Sequence, residues 1–444
     1  MTTPTPDLSD SGRAIAQPGS DNSAGRGGLS RRGLIGSAGA GAAVALAAAG
    51  AMAATGRAEA SASPAVSTVA FHGATQAGIT TAAQDRLHFA AFDVLPSATR
   101  DDLVELLKDW TAAAARMTSG DGAGPSGPLS GPYDAPPDDT GEAIGLDPAN
   151  LTITFGFGPT LFRDAAGADR FGLAARQPDA LTRLPHFPAD NLDPAGSDGD
   201  LVVQACSNDP QVAVHAIRNL TRIAFGRAAI RWSQLGFGRT SSTSTTQVTP
   251  RNLFGFKDGT NSLRAEDTAN IDAHVWTRPE ANAAWLEGGS YLVARKIAMH
   301  VETWDRGSLR EQENIIGRTK AEGAPLSGGH EFTAPDFALA GRGGTPLVDA
   351  TSHLALAHPA HNNGVRMLRR GYNYVDGSNQ LGRLAAGLFF IAFVTDPGTH
   401  YIPMQTAMAS NDLLSEYLQH IGSGLWAVPP GIAEGEFVGQ ALFT

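Results

Sequence analysis

Apolar and polar positions alternate over residues 84–93, the spacing of a half-buried strand. Over residues 99–117 the period changes to that of a helix, with Leu103, Leu106, Leu107 and Trp110 on one side. A strand followed by an amphipathic helix opens an α+β unit. Further strands are expected over 151–157 and 200–206 and a helix over 210–222, and this unit closes near Gly238. The Ser/Thr-rich residues 240–249 divide it from a second stretch with strands over 290–300 and 387–395, a helix over 308–316 and a final helix over 411–420. Strand, helix, strands, helix thus occurs loosely twice, which predicts a duplicated α+β plan, although no residue-level repeat accompanies it.

Two segments stand outside this pattern. Residues 118–148 are rich in Gly, Pro, Ser and Asp and read as an exposed insertion in the first half. Residues 1–60 read as an export leader: Arg31-Arg32 precede the weakly hydrophobic, Ala/Gly-rich run 34–54, and Ala58-Glu59-Ala60 supplies a small-x-small cleavage site. The run is about long enough to span a bilayer, but its composition and its flank favour a twin-arginine signal over an anchor. That route carries folded proteins. A cofactor would then be acquired before export, and the lack of disulfides in an exported chain ceases to be a puzzle.

Composition narrows the chemistry. The 444 residues exceed one hydrophobic core, so two units, 65–239 and 250–444, are expected after the leader. A net charge of −11 disfavours nucleic acid and anionic lipid as partners. The single cysteine, Cys206, can form no internal disulfide and no Cys-based zinc or iron–sulfur site.

Three short stretches carry candidate chemistry. Gly255-Phe256-Lys257-Asp258-Gly259-Thr260 is by itself an ordinary turn, since glycine tolerates positive φ. Flanked by Phe254 and Phe256, however, Asp258 is placed to face a partly dry cavity and shuttle a proton. His353 lies in a mostly apolar segment, as an axial iron ligand would. Nearby His358 and His361 raise the option of zinc, but Pro359 breaks the helix that would align the three. Arg369 and Arg370 follow Met367-Leu368; one of them can point inward, where a buried guanidinium needs an anionic partner such as a peroxide-derived oxyanion or a haem propionate.

Together these stretches, Gly255 to Thr260, Ser352-His353 to His358-Pro359, and Met367-Leu368-Arg369-Arg370-Gly371-Tyr372 with Tyr374, resemble the signatures of the dye-decolourising haem peroxidases. The resemblance spans roughly residues 65–444 and is strongest to the exported subgroup that includes the deferrochelatases. It implies two ferredoxin-like α+β halves, with one haem b per chain in the C-terminal half. It implies His353 as proximal axial ligand, Asp258 as distal acid/base and Arg369, or else Arg370, as distal arginine. Gly259, Thr260 and Asn261, with His358, Pro359 and Ala360, would line the haem, and Asp412 is the candidate carboxylate behind the proximal histidine.

The implied activity is reduction of hydrogen peroxide and oxidation of dyes, phenolics or other one-electron donors. Asp258 would move a proton between the peroxide oxygens, and Arg369 would stabilise the developing charge. An aspartate has a reference pKa of about 3.9, so turnover should favour acidic pH. Tyr372, Tyr374, Trp276 and Trp426 are candidates by residue type for relaying electrons to large donors. The competing reading is a haem-binding protein of iron acquisition, with a membrane iron-uptake partner and without significant peroxidase turnover; it needs His353 but neither distal group. The oligomeric state is left open.

Overall fold

The computed structural model describes residues 67–444, so the expected leader lies outside the described residues. Among the described residues no helix is long and apolar enough to cross a membrane. Nine strands form one antiparallel sheet: β1 (Arg86–Val94), β2 (Thr152–Phe157), β3 (Leu201–Ser207), β4 (Ala228–Arg239), β5 (Ser290–Met299), β6 (Leu368–Arg369), β7 (Tyr372–Ser378), β8 (Leu384–Val394) and β9 (Leu418–Val428). β6 and β7 pair with β8 in a single register, Leu368 with Phe393 and Tyr372 with Phe389, and so act as one interrupted strand.

Counting that strand once, the order within the first half is β4-β1-β3-β2 and within the second β9-β5-β8-β7: fourth, first, third, second in each. Pairing of β2 with β9 and of β4 with β7 closes the sheet into a barrel with no free edge between the halves. Closure follows from the sequence alternation. Leu87, Phe89 and Ala91 of β1 turn into the barrel with Phe389, Ile391, Phe393 and Trp426, while Ala90, Phe92 and Val94 turn out toward the helices.

In the first half the outer face is covered by the helices Arg100–Thr118 and Pro210–Ile223. The first begins at a capping box in which Thr99 accepts from Asp102 N and the Asp102 carboxylate accepts from Thr99 N, a device worth about 1 kcal/mol. Its Trp110 is 1% exposed, packs between Phe92 and Phe155, and donates from Nε1 to Leu220 O at 2.8 Å. Truncating it to alanine would cost about 3–5 kcal/mol. Residues 119–151 contain no helix or strand and are largely exposed, but they are held by Asp139, whose carboxylate meets His215 Nε2 at 3.0 Å in the core.

In the second half the outer face of β5, β8 and β9 carries no equivalent pair of long helices. Short helices, Leu309–Ile316, His353–Ala357 and Ile402–Asn411, stand off from it and leave a cavity. One expectation is corrected here. The helix expected over 411–420 is instead Ile402–Asn411: Asp412 caps the turn Leu413–Tyr417, accepting from Leu414 N, β9 begins at Leu418, and the last helix is the short Gln440–Phe443. The Ser/Thr-rich divider starts in the interior: Thr240, Ser241, Ser242 and Thr243 are at most 2% exposed, because the chain there runs beneath the Asp258 turn.

Candidate functional site

The cavity encloses about 210 Å³. A single water needs only about 10–15 Å³, so this is room for a ligand and not a packing flaw. Its walls mix outward-facing sheet residues, Ile297, Leu388 and Phe390, with the loop of Asp258 and the helix of His353.

Asp258 is held by a tight turn. Asn252 O accepts from Gly255 N at 2.9 Å, and Asp258 N donates to Pro250 O at 2.9 Å. Gly255 and Gly259 have φ of 81° and 87°, and a Cβ on Gly259 would come within 2.8 Å of Ser241 Cα, so this position demands glycine. The turn aims the Asp258 carboxylate at two donors. Arg369 Nη1 donates to Oδ1 at 2.9 Å, and Asn252 Nδ2 donates to Oδ2 at 3.2 Å.

Strand alternation separates the two arginines. Leu368 and Arg370 face the barrel interior, while Arg369 between them faces the cavity. Arg370 is fully buried and donates to Thr81 O and Gln84 Oε1, neither of which lines the cavity. Of the two, Arg369 is the one that stands beside Asp258.

His353 opens its helix behind Ser352, whose hydroxyl accepts from Ala355 N. Its Nδ1–H donates to Asp412 Oδ2 at 2.7 Å, and Asp412 is only 3% exposed in its side chain. Burial works against the charged imidazolium, but the Asp412 carboxylate outweighs it and holds the His353 pKa above its ordinary value. The other nitrogen, Nε2, has no hydrogen-bond partner among the described residues, and the ring lines the cavity.

Gly259, Thr260, Asn261, His358 and Pro359 also line the cavity. Ala360 does not: Pro359–His361 forms a separate turn that leaves Ala360 exposed, and Ala357 takes the place at the wall. No third ligand joins His358 and His361, and no cluster of three or more metal-ligating side chains occurs among the described residues. Of the proposed relay aromatics, Tyr372, Tyr374 and Trp426 are buried in the barrel, and Trp276 packs against them.

Sequence reasoning missed three cavity residues. Asn252 could have been found from its place opposite Asp258 across the glycine turn. Arg318 lines the cavity at 9% exposure with only the carbonyls of Gly323 and Glu331 as acceptors, and burial pulls its pKa down. His420, turned outward from β9, is pushed down to about 3 by burial, with Arg295 adding to the effect. Neither has a local sequence signal, because both depend on strand and loop packing.

Comparison with known proteins gives a consistent result. Family models described as Dyp-type peroxidase, N-terminal and C-terminal, match residues 76–238 and 249–433. The chain is 36% identical over 382 residues to a dye-decolorizing peroxidase of Thermobifida fusca, covering 83% of this chain and 84% of that protein. It is 37% identical to a deferrochelatase of Escherichia coli K12, covering 84% and 86%. Among solved structures, an oxyferrous/water complex of DtpA from Streptomyces lividans superposes with a TM-score of 0.77 at 38% identity, covering 86% of this chain and all of that one.

Proposed function

The chain belongs to the Dyp-type peroxidase family and is a haem peroxidase, and from that premise we propose that the haem sits in the cavity of the second half, on His353. One observation carries this reading: His353 has Nδ1 tied to Asp412 and Nε2 unpartnered, in the same cavity as the Asp258–Arg369 pair. The donor set fits haem iron, with one imidazole backed by a carboxylate beside the apolar wall residues Ile297, Leu388 and Phe390. Haem b is the form proposed, one per chain, and Arg318 at the cavity wall would be a cationic partner for its carboxylates.

Haem supplies the redox chemistry by which peroxide is reduced and a donor oxidised. The chain's own groups position and move protons. Asp412 holds the His353 tautomer so that Nε2 is the lone-pair nitrogen, and makes the imidazole a stronger donor. Asp258, as carboxylate, would accept a proton from one oxygen of hydrogen peroxide and return it to the other, which leaves as water. Arg369, 2.9 Å from Asp258, stabilises negative charge on the peroxide and keeps the carboxylate oriented; Asn252 fixes its other oxygen.

The shared strand order of the two halves supports reading each as ferredoxin-like. Dyes, phenolics or similar one-electron donors are the proposed reductants. Export as a folded protein by the twin-arginine machinery, to the periplasm, envelope or exterior, rests on Arg31-Arg32 and the residues after them. The haem-handling alternative leaves the Asp258–Arg369 pair without a task.

The test is to load the protein with haem and follow the Soret band after one equivalent of peroxide. His353→Ala should lose the haem band. Asp258→Asn should bind haem yet respond slowly. An unaltered spectrum in the parent protein would sink this reading.

A further inference from the structure

The chain has seven methionines, of which Met1 and Met52 lie outside the described residues. Four of the remaining five, Met299, Met367, Met404 and Met408, line the cavity that also holds His353, Asp258 and Arg369. They come from three separate places: the end of β5, the approach to β6, and one face of the helix Ile402–Asn411, where Met404 and Met408 are a turn apart. The fifth, Met117, belongs to the other half and borders a separate cavity of about 120 Å³. Met299 and Met404 are as buried as Met117, at 4%, 5% and 3% exposed, while Met367 and Met408 are half-buried. What sets all four apart from Met117 is which cavity they border.

Methionine is a flexible gap-filler, and that alone could account for one or two such residues on an irregular wall. Filling does not require four thioethers from three elements where leucine would pack as well. The thioether differs from leucine chemically in one way that matters beside a peroxide site: it is oxidised to the sulfoxide.

We propose that these four methionines form a modification site at which peroxide not matched by an electron donor is consumed. The net step balances with one hydrogen peroxide per sulfur, and haem bound in the cavity would speed it. The O–O bond breaks, one oxygen bonds to the sulfur, the sulfur loses two electrons, and the other oxygen leaves as water with both protons. The sulfoxide is polar and chiral, so it changes the wall it stands in. The change would be felt near the imidazole, because Met408 O accepts from Asp412 N at 2.9 Å and Asp412 holds His353.

The inference rests on the proposed haem position. It is tested on the haem-loaded full chain, given a few equivalents of isotopically labelled peroxide without donor and then mapped by peptide mass spectrometry. Labelled oxygen should appear at the four cavity methionines several-fold above Met117, and should fall when a phenolic donor is added and in the haem-free chain. Equal labelling of Met117, no labelling of the four, or equal labelling without haem would overturn the proposal. His353→Ala separates the two failures. If the Soret band survives that change, the haem position is wrong. If the band is lost but the cavity methionines of the parent protein stay unlabelled, only the methionine proposal falls.

Discussion

His353 Nδ1 donates to the Asp412 carboxylate at 2.7 Å across a sequence separation of 59 residues. Asp412 reaches this place because the helix Ile402–Asn411 ends there and Asp412 caps the following turn with its other oxygen. The carboxylate thus has two fixed duties, and replacing it frees the imidazole to rotate and to exchange tautomers. Asp412→Ala is expected to weaken haem binding by about 10- to 100-fold and to raise the reduction potential, since a less basic imidazole stabilises the oxidised iron less. Haem titration and spectroelectrochemistry check both. A variant with parental affinity and potential would remove Asp412 from the site.

Asp258 and Arg369 should separate from His353 in their effects. Arg369→Leu and Asp258→Asn are both expected to keep the parental haem content, because neither supplies a ligand. The arginine change should slow the reaction with peroxide by about 10²–10³-fold, and the aspartate change by about 10²–10⁴-fold. Stopped-flow rates in peroxide give these values directly.

Much of this was legible from particular residues. The alternation at Leu87, Phe89 and Ala91 predicts β1, and Leu103, Leu106, Leu107 and Trp110 predict the helix over them, because each element buries one face against the other. β9 was not legible. Gly422 and Gly424 dilute its alternation, and polar His420 near its start borders both the cavity and the Asp190 loop. Asp258, His353, Arg369 and Asp412 were legible through motif resemblance. Their convergence was not, because it depends on closing the sheet between β5 and β8 and on a helix that stops one residue before Asp412.

Adjacent Arg369 and Arg370 are expected to fail in opposite ways when replaced. Arg370 is fully buried in the barrel and satisfies Thr81 O and Gln84 Oε1. Arg370→Met leaves these acceptors without a donor, at about 1–3 kcal/mol each. Its urea midpoint should therefore fall clearly, while the fraction that remains folded binds haem and reacts with peroxide at the parental rate. Arg369→Leu should show the reverse, with a near-parental midpoint and slow chemistry. Equal loss of stability in both variants would contradict the placement of Arg369 at the cavity.

Stability should also fall in acid through His88. Burial pushes its pKa down to about 4, and its Nδ1 is enclosed without a hydrogen-bond partner. In the unfolded chain the imidazole takes up a proton near its ordinary value of about 6.5. Between these values the unfolded state binds more protons than the folded one, so stability is complete above about pH 6.5 and declines as pH drops toward 4. At about 1.4 kcal/mol per pH unit the full effect is on the order of 3 kcal/mol. His88→Leu removes the group without adding charge, and should flatten the decline by about 1–3 kcal/mol between neutral pH and about pH 4. Urea unfolding of the haem-free parent and variant, measured side by side at both ends of that range, isolates this contribution from every other titrating group, and identical slopes would show that His88 is solvated in the folded state.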